Sequence, residues 1–147
     1  MDKNHFEQFY EDYTHIMLFV NSNKLKLGEL QQEVVEIKIA CNEILKNADI
    51  QYSLRSLNSL KSRLGNMLEE INVILFHYRE IDTLLHQVDV LIADYNEIDI
   101  QIDLYELNGI ENDLLDAKSI NSNLNELKLD MESLNQSIED KISKLEG

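Results

Sequence analysis

Three of the four histidines stand one helical turn from a carboxylate: Asp12-x-x-His15, His77-x-x-Glu80 and His86-x-x-Asp89. Residues three apart share a helix face, so each pair could offer an imidazole nitrogen and a carboxylate oxygen to one metal ion. One pair fills only part of a coordination sphere. Helical bundles that hold two iron ions use two Glu-x-x-His pairs and two further inward glutamates. No Glu-x-x-His occurs in this sequence. The histidines, His5 included, are therefore expected at the solvent or rim of the helices, and no metal is expected. The single cysteine, Cys41, lies between Ile37 and Ile44 on an apolar face and is expected to be a buried, inert thiol. It cannot close an intramolecular disulfide, which suits a reducing compartment. No glycine-rich phosphate loop, nucleophile elbow or cysteine–histidine metal signature is present. The reading is a non-enzymatic protein with no catalytic residues and no cofactor.

Charge is the other chemical feature. The chain carries 28 Asp and Glu against 13 Lys and Arg, a formal charge of −15. Its cations do not cluster, which argues against nucleic-acid partners and against binding to an anionic membrane surface. From Glu80 to Ala117 there are 11 acidic residues and no Lys or Arg. These carboxylates either line a solvated helix face or form a docking surface for a basic partner. A parallel, in-register homodimer through this stretch would set like charges together, so a different and less acidic partner chain is favoured.

The elements that must position these groups are helical. The chain has 147 residues, no proline and four glycines, and proline is the residue that breaks helices by removing a donor and clashing with the preceding turn. From Leu57 to Tyr95 the apolar residues recur at alternating steps of three and four: Leu57, Leu60, Leu64, Met67, Ile71, Ile74, Tyr78, Ile81, Leu85, Val88, Ile92 and Tyr95. An average step of 3.5 holds side chains on one slowly drifting helical seam. Leu68, Leu75, Leu84 and Leu91 widen the stripe, which predicts contact with at least two neighbouring helices.

The fold class expected is all-α, an elongated coiled-coil or helical-bundle protein with a long central helix. Helices are predicted over about 3–20, 26–48 and 51–107, forming a core over 1–107. The first carries Phe6, Phe9, Tyr13, Ile16 and Val20; the second carries Leu27, Leu30, Val34, Ile37, Cys41, Ile44 and Ala48. Ile98, Ile100, Ile102 and Leu104 alternate with Asp99, Gln101 and Asp103 as in a strand, but no second strand exists to pair with, so helix is preferred. Asn108-Gly109 is the clearest breaker. A narrower coiled-coil arm then follows over 110–147, with Ala117, Ile120, Leu124, Leu127, Met131, Leu134, Ile138 and Leu145 on its seam. Gly65 inside the long central helix costs about 1 kcal/mol relative to alanine and is compatible with a kink or a close helix contact, though no other signal supports a break there. No segment approaches the ~20 apolar residues of a membrane span, and no secretory leader is visible, so a cytoplasmic protein without membrane insertion is expected.

Two stretches carry a resemblance. Leu30, Val34, Ile37 and Cys41 followed by Asn42-Glu43-Ile44, and then Tyr78, Ile81-Asp82, Leu84 and Val88 with Tyr13 upstream, make residues 10–105 similar to the cappuccino-like small coiled-coil subunits of the complex for biogenesis of lysosome-related organelles. The chain departs from that pattern after Tyr105, where a proline-free helical arm begins. The resemblance implies a cytosolic subunit of an elongated hetero-oligomer in endosomal and lysosome-related organelle trafficking, with no catalytic or ligand residues. Other coiled-coil subunits would be its partners. Leu57, Leu64, Ile71, Ile74, Tyr78, Ile81, Leu85, Val88 and Ile92 are the expected interface. The alternative is a self-contained acidic helical inhibitor, chaperone or immunity-type protein for a basic target, with the 80–117 carboxylates as the working surface.

Overall fold

The structure, a computed structural model, describes residues 3–147, and every regular element among them is helical. The helices are α1 (Lys3–Ser22), α2 (Lys26–Ile44), α3 (Ile50–His77), α4 (Ile81–Ala93) and α5 (Leu104–Glu146), with a 3₁₀ turn at Tyr95–Glu97. None is long and apolar enough to cross a membrane among the described residues.

The chain divides into two compact units. The first comprises the residues up to Lys24 and Leu75–Ser122: α1, α4 and residues 104–122 of α5. Phe9, Val20, Ile81, Leu84, Val88 and Leu91 form its core with Leu107, Ile110 and Leu114. The second comprises Leu25–Ile74 and Asn123–Gly147: α2, most of α3 and the rest of α5. Its core is Leu30, Val34, Ile37, Cys41 and Ile44 of α2, Leu57, Leu64, Met67 and Ile71 of α3, and Leu124, Leu127, Met131 and Ile138 of α5. Each unit therefore buries three apolar stripes against one another, the arrangement that wide helical faces require.

The predicted 51–107 helix is divided, and the reason is local. At Tyr78-Arg79-Glu80 the ladder tightens to three-residue spacing, with Tyr78 N–H donating to Leu75 O (3.0 Å), Arg79 N–H to Phe76 O (3.4 Å) and Ile81 N–H to Tyr78 O (3.1 Å). Such bonds end a helix without a glycine or proline. The Arg79 guanidinium lies 3.7 Å from the Phe76 ring centroid and donates to Phe76 O, holding the turn. After Glu97 the backbone becomes extended at Ile98 and stays irregular to Asp103, so the helix preferred for 98–103 is not formed. Tyr95 Oη donates to Ile102 O at 2.7 Å, and Asp103 Oδ1 accepts from Glu106 N–H at 2.7 Å, an N-cap that starts α5.

Asn108-Gly109 does not break the chain: both residues sit inside α5. Leu107 and Ile110 on either side are buried, and that packing outweighs the ~1 kcal/mol a helical glycine loses to alanine. The C-terminal segment is likewise no exposed arm, because α5 supplies core residues to each unit, ending with Ile142 rather than Leu145. α2 stops at Ile44, and Asp49 Oδ1 caps α3 by accepting from Tyr52 N–H at 3.2 Å. The buried Ser53 hydroxyl closes the intervening turn by donating to Ile44 O at 3.2 Å.

Gly65 lies mid-α3, where an added Cβ would meet nothing within 4 Å. No close approach requires a glycine there, and α3 runs through it without interruption. Gly65→Ala is expected to stabilise the chain by about 1 kcal/mol, read as a melting temperature about 3 °C higher.

Candidate functional site

The nine residues expected to form an open interface are placed differently. Leu57, Leu64, Ile71 and Ile74 are buried within the second unit, and Tyr78, Ile81, Leu85 and Val88 within the first; Ile92 is half-buried. Helices of the same chain cover the seam, so in this conformation it is core and not contact surface. A seam repeat specifies that a stripe is buried, while the hydrophobic effect is indifferent to which chain supplies the cover.

Histidine and cysteine chemistry is correspondingly quiet. Among the described residues no group of three or more His, Cys, Asp or Glu is placed to hold a metal. The His77 ring stacks on Phe19, with centroids 4.1 Å apart. Burial pushes the Cys41 thiol up, with the Lys141 ammonium opposing it, so the thiolate that reactive chemistry needs is disfavoured. Burial likewise raises the Tyr78 phenol.

Charge, by contrast, is sharply partitioned. The first unit holds fifteen acidic and four basic residues, a formal charge of −11; the second holds thirteen and nine, a charge of −4. In the second unit lysines and arginines are met by carboxylates across helices: Lys26 with Glu70 (2.7 Å), Lys61 with Glu139 (3.2 Å), and Arg63 with Glu36 (3.1 Å). The Glu70 bond raises the Lys26 ammonium despite the cost of its burial. The first unit has Arg79 on Glu80 (3.3 Å) and Lys118 on Asp82 (3.1 Å). Its surplus is largely solvent-facing: Asp89, Glu97, Asp99, Asp103, Glu106, Asp113 and Asp116 are all exposed.

Two features of this unit go beyond a solvated face. Tyr10 and Tyr13 lie beside Glu106, Gly109, Ile110 and Asp113 around a hollow of about 290 Å³. Tyr13 Oη donates to Asp113 Oδ2 at 2.8 Å, and burial followed by that carboxylate hold the phenol above its ordinary range. Between α1 and α4 runs a larger cleft of about 500 Å³, lined by Glu11, Asp12, His15 and Ile16 from α1 and by Glu80, Thr83, Leu84 and Gln87 from the turn and α4. Gln87 Oε1 is withdrawn from solvent there and accepts no hydrogen bond from the protein.

Like charges also meet. The Glu111 carboxyl is raised first by its hydrogen bond to Asp89, then by partial desolvation and by the Asp89 charge. The folded chain thus holds this proton more tightly than the unfolded chain. The associated stability is present below the unfolded carboxyl range and is lost as pH rises through the raised folded value. Glu111→Gln mimics the protonated form. It should melt about 2 °C above the parent at pH 7, and the gap should close as the pH falls toward 4. A gap that widens on acidification contradicts this pairing.

The sequence pointed to the acidic stretch but not to the cleft. Its signals were present: Glu11, Asp12 and His15 fall at i, i+1 and i+4, and Glu80, Thr83 and Gln87 at i, i+3 and i+7, each a single helix face. Nothing in the sequence indicates that the two faces oppose each other. Compared with known proteins, the chain matches no family model, no curated protein and no solved structure.

Proposed function

We propose that this chain is a non-enzymatic acidic binding protein, of the inhibitor, chaperone or immunity type, that docks a basic protein partner through its first unit. The observation that carries this reading is the partition of charge: −11 on one unit and −4 on the other, with the apolar seam already covered by the chain's own helices. A field of one sign over one unit steers an oppositely charged partner and selects against acidic competitors.

The test is binding of a fluorescein-labelled basic peptide, followed by anisotropy across a salt series. Affinity should fall steeply between 50 and 500 mM NaCl, since exposed charges are screened beyond about 4 Å at the higher concentration. Binding indifferent to salt would remove the electrostatic basis of the proposal.

A second reading keeps the chain as a cytoplasmic subunit of a hetero-oligomer with other coiled-coil chains, in endosomal or lysosome-related organelle trafficking. Its support is the resemblance of residues 10–105 and one surface feature. Val35 and Ile39, one turn apart on α2, are 47% and 59% exposed and give a helical partner an apolar ledge. The expected seam residues would contribute to such an assembly only if the units opened.

A further inference from the structure

We propose that the hollow between α1 and α5 in the first unit is a socket for the ammonium head of a lysine on the basic partner, an inference that rests on the acidic-unit reading and deepens it. The N-methylated ammonium is its best-fitting form. The walls are aromatic as well as acidic. The Tyr10 and Tyr13 rings stand 5.9 Å apart, centroid to centroid, with their planes at 52°, so they form an open corner. Ring faces attract a cation within about 6 Å, and one seated in such a corner reaches both rings at once. Phe9 stacks on Tyr13 (6.5 Å, 16°) and Phe6 leans on Tyr10 (6.0 Å, 41°), which sets the corner before any ligand arrives. Tyr13 Oη donates to Asp113 Oδ2 at 2.8 Å, fixing the ring and leaving the other carboxylate oxygen outside that bond. The exposed Glu106 carboxylate stands on the same rim.

Gly109 is the residue of this hollow that the fold itself does not call for. It lies inside α5, where glycine costs backbone entropy that alanine does not, and it needs no left-handed conformation. An added Cβ would meet nothing within 4 Å. Gly65 shares that freedom, but Gly109 sits among the tyrosines and carboxylates on the lining of the hollow. A residue without a side chain there keeps about 290 Å³ open, room for one extended side chain. The shape also selects the cation. A planar guanidinium can lie flat on only one of two rings inclined at 52°, whereas a tetrahedral ammonium touches both. Methyl groups on the nitrogen weaken its hydration and rest against the ring faces, while a remaining N–H still reaches a carboxylate.

The experiment compares fluorescein-labelled deca-lysine with the same peptide dimethylated on every side-chain nitrogen, each bound to the full chain at 100 mM NaCl. Both carry the same charge, so a surface that reads only charge and N–H donors would bind the dimethylated peptide no better. The socket predicts that the dimethylated peptide binds about threefold more tightly. Gly109→Leu should erase that difference while raising the melting temperature by about 2 °C, because leucine fills the hollow and favours the helix. Tyr10→Ala, at a position 45% exposed, should erase it too. Gly65→Ala, which stabilises a helix in the other unit, should leave the difference unchanged. Equal or weaker binding of the dimethylated peptide, or a difference that survives in Gly109→Leu or in Tyr10→Ala, overturns the socket while leaving the acidic-unit reading intact. Failure of both peptides to bind the parent chain overturns both.

Discussion

In Ile81→Asp, the isolated chain is expected to lose most of its helical circular dichroism at 25 °C with no partner present. Ile81 is 1% exposed and lies at the start of α4 in the core of the first unit. Its removal forfeits the roughly 2–5 kcal/mol typical of emptying a buried aliphatic position. The introduced carboxylate must then be desolvated without a counter-charge, or be protonated, at several kcal/mol more. Together these approach the whole stability of an ordinary domain, about 5–15 kcal/mol. Ile92→Asp is the matched control: the same exchange on the same helix at a half-buried position. It should remain folded and lose about 1–2 kcal/mol. Sedimentation of the parent completes the measurement, since a folded monomer is required for the comparison to have meaning. If the parent is unfolded alone and folds only with another chain, the internally covered seam is not the solution state.

Joint replacement of Asp89, Asp94, Asp99 and Asp103 by asparagine should weaken binding of the basic peptide about 30-fold at low salt. Three exposed charges and the half-buried Asp94, at ~0.5 kcal/mol each, give about 2 kcal/mol. The fold should survive, because asparagine caps a helix as aspartate does at Asp103, and loss of the Asp89 charge relieves Glu111. The decisive control changes net charge equally in the other unit: Glu69, Glu126 and Glu132 to glutamine with Asp130 to asparagine, all exposed. A response to total charge alone predicts equal losses. Docking on the first unit predicts that the second set costs less than about threefold, and equal losses would refute a localised surface.

Much of the helical content was legible because proline is absent and the seam repeat is long. The heptad-like series Leu30, Val34, Ile37, Cys41, Ile44 and the series Leu124, Leu127, Met131, Leu134, Ile138 are buried as their spacing required. Breaks were legible only where side chains announce them. Asn47 and Asp49 do so, with Asn47 Oδ1 accepting from Asp49 N–H at 2.8 Å. The Tyr78–Glu80 break carries no such mark, since it is made by backbone bonds that slip to three-residue spacing and by Arg79 folding over Phe76. Asn108-Gly109 misled for the opposite reason: local propensity yielded to Leu107 and Ile110 on either side.

The candidate site divides in the same manner. The carboxylates of 80–117 could be read directly, as could the low reactivity expected of Cys41. The cleft could not, because it joins α1 to α4 across more than sixty residues of intervening chain. The grouping of acidic residues was largely legible, since eleven of the first unit's fifteen belong to that stretch; that α1 adds Glu7, Glu11 and Asp12 to the same unit was not.

By itself, then, the sequence determined that the chain is helical, which face of each helix must leave water, and how much negative charge the surface must carry. Periodicity is a property of one helix, and it is encoded residue by residue. Only the tertiary structure decided what covers those faces, because apolar burial has no direction and any complementary stripe satisfies it. That choice covered the expected interface with the chain's own helices and opened a cleft that Glu11 and Asp12 border together with Glu80, between two helices that the linear order keeps far apart.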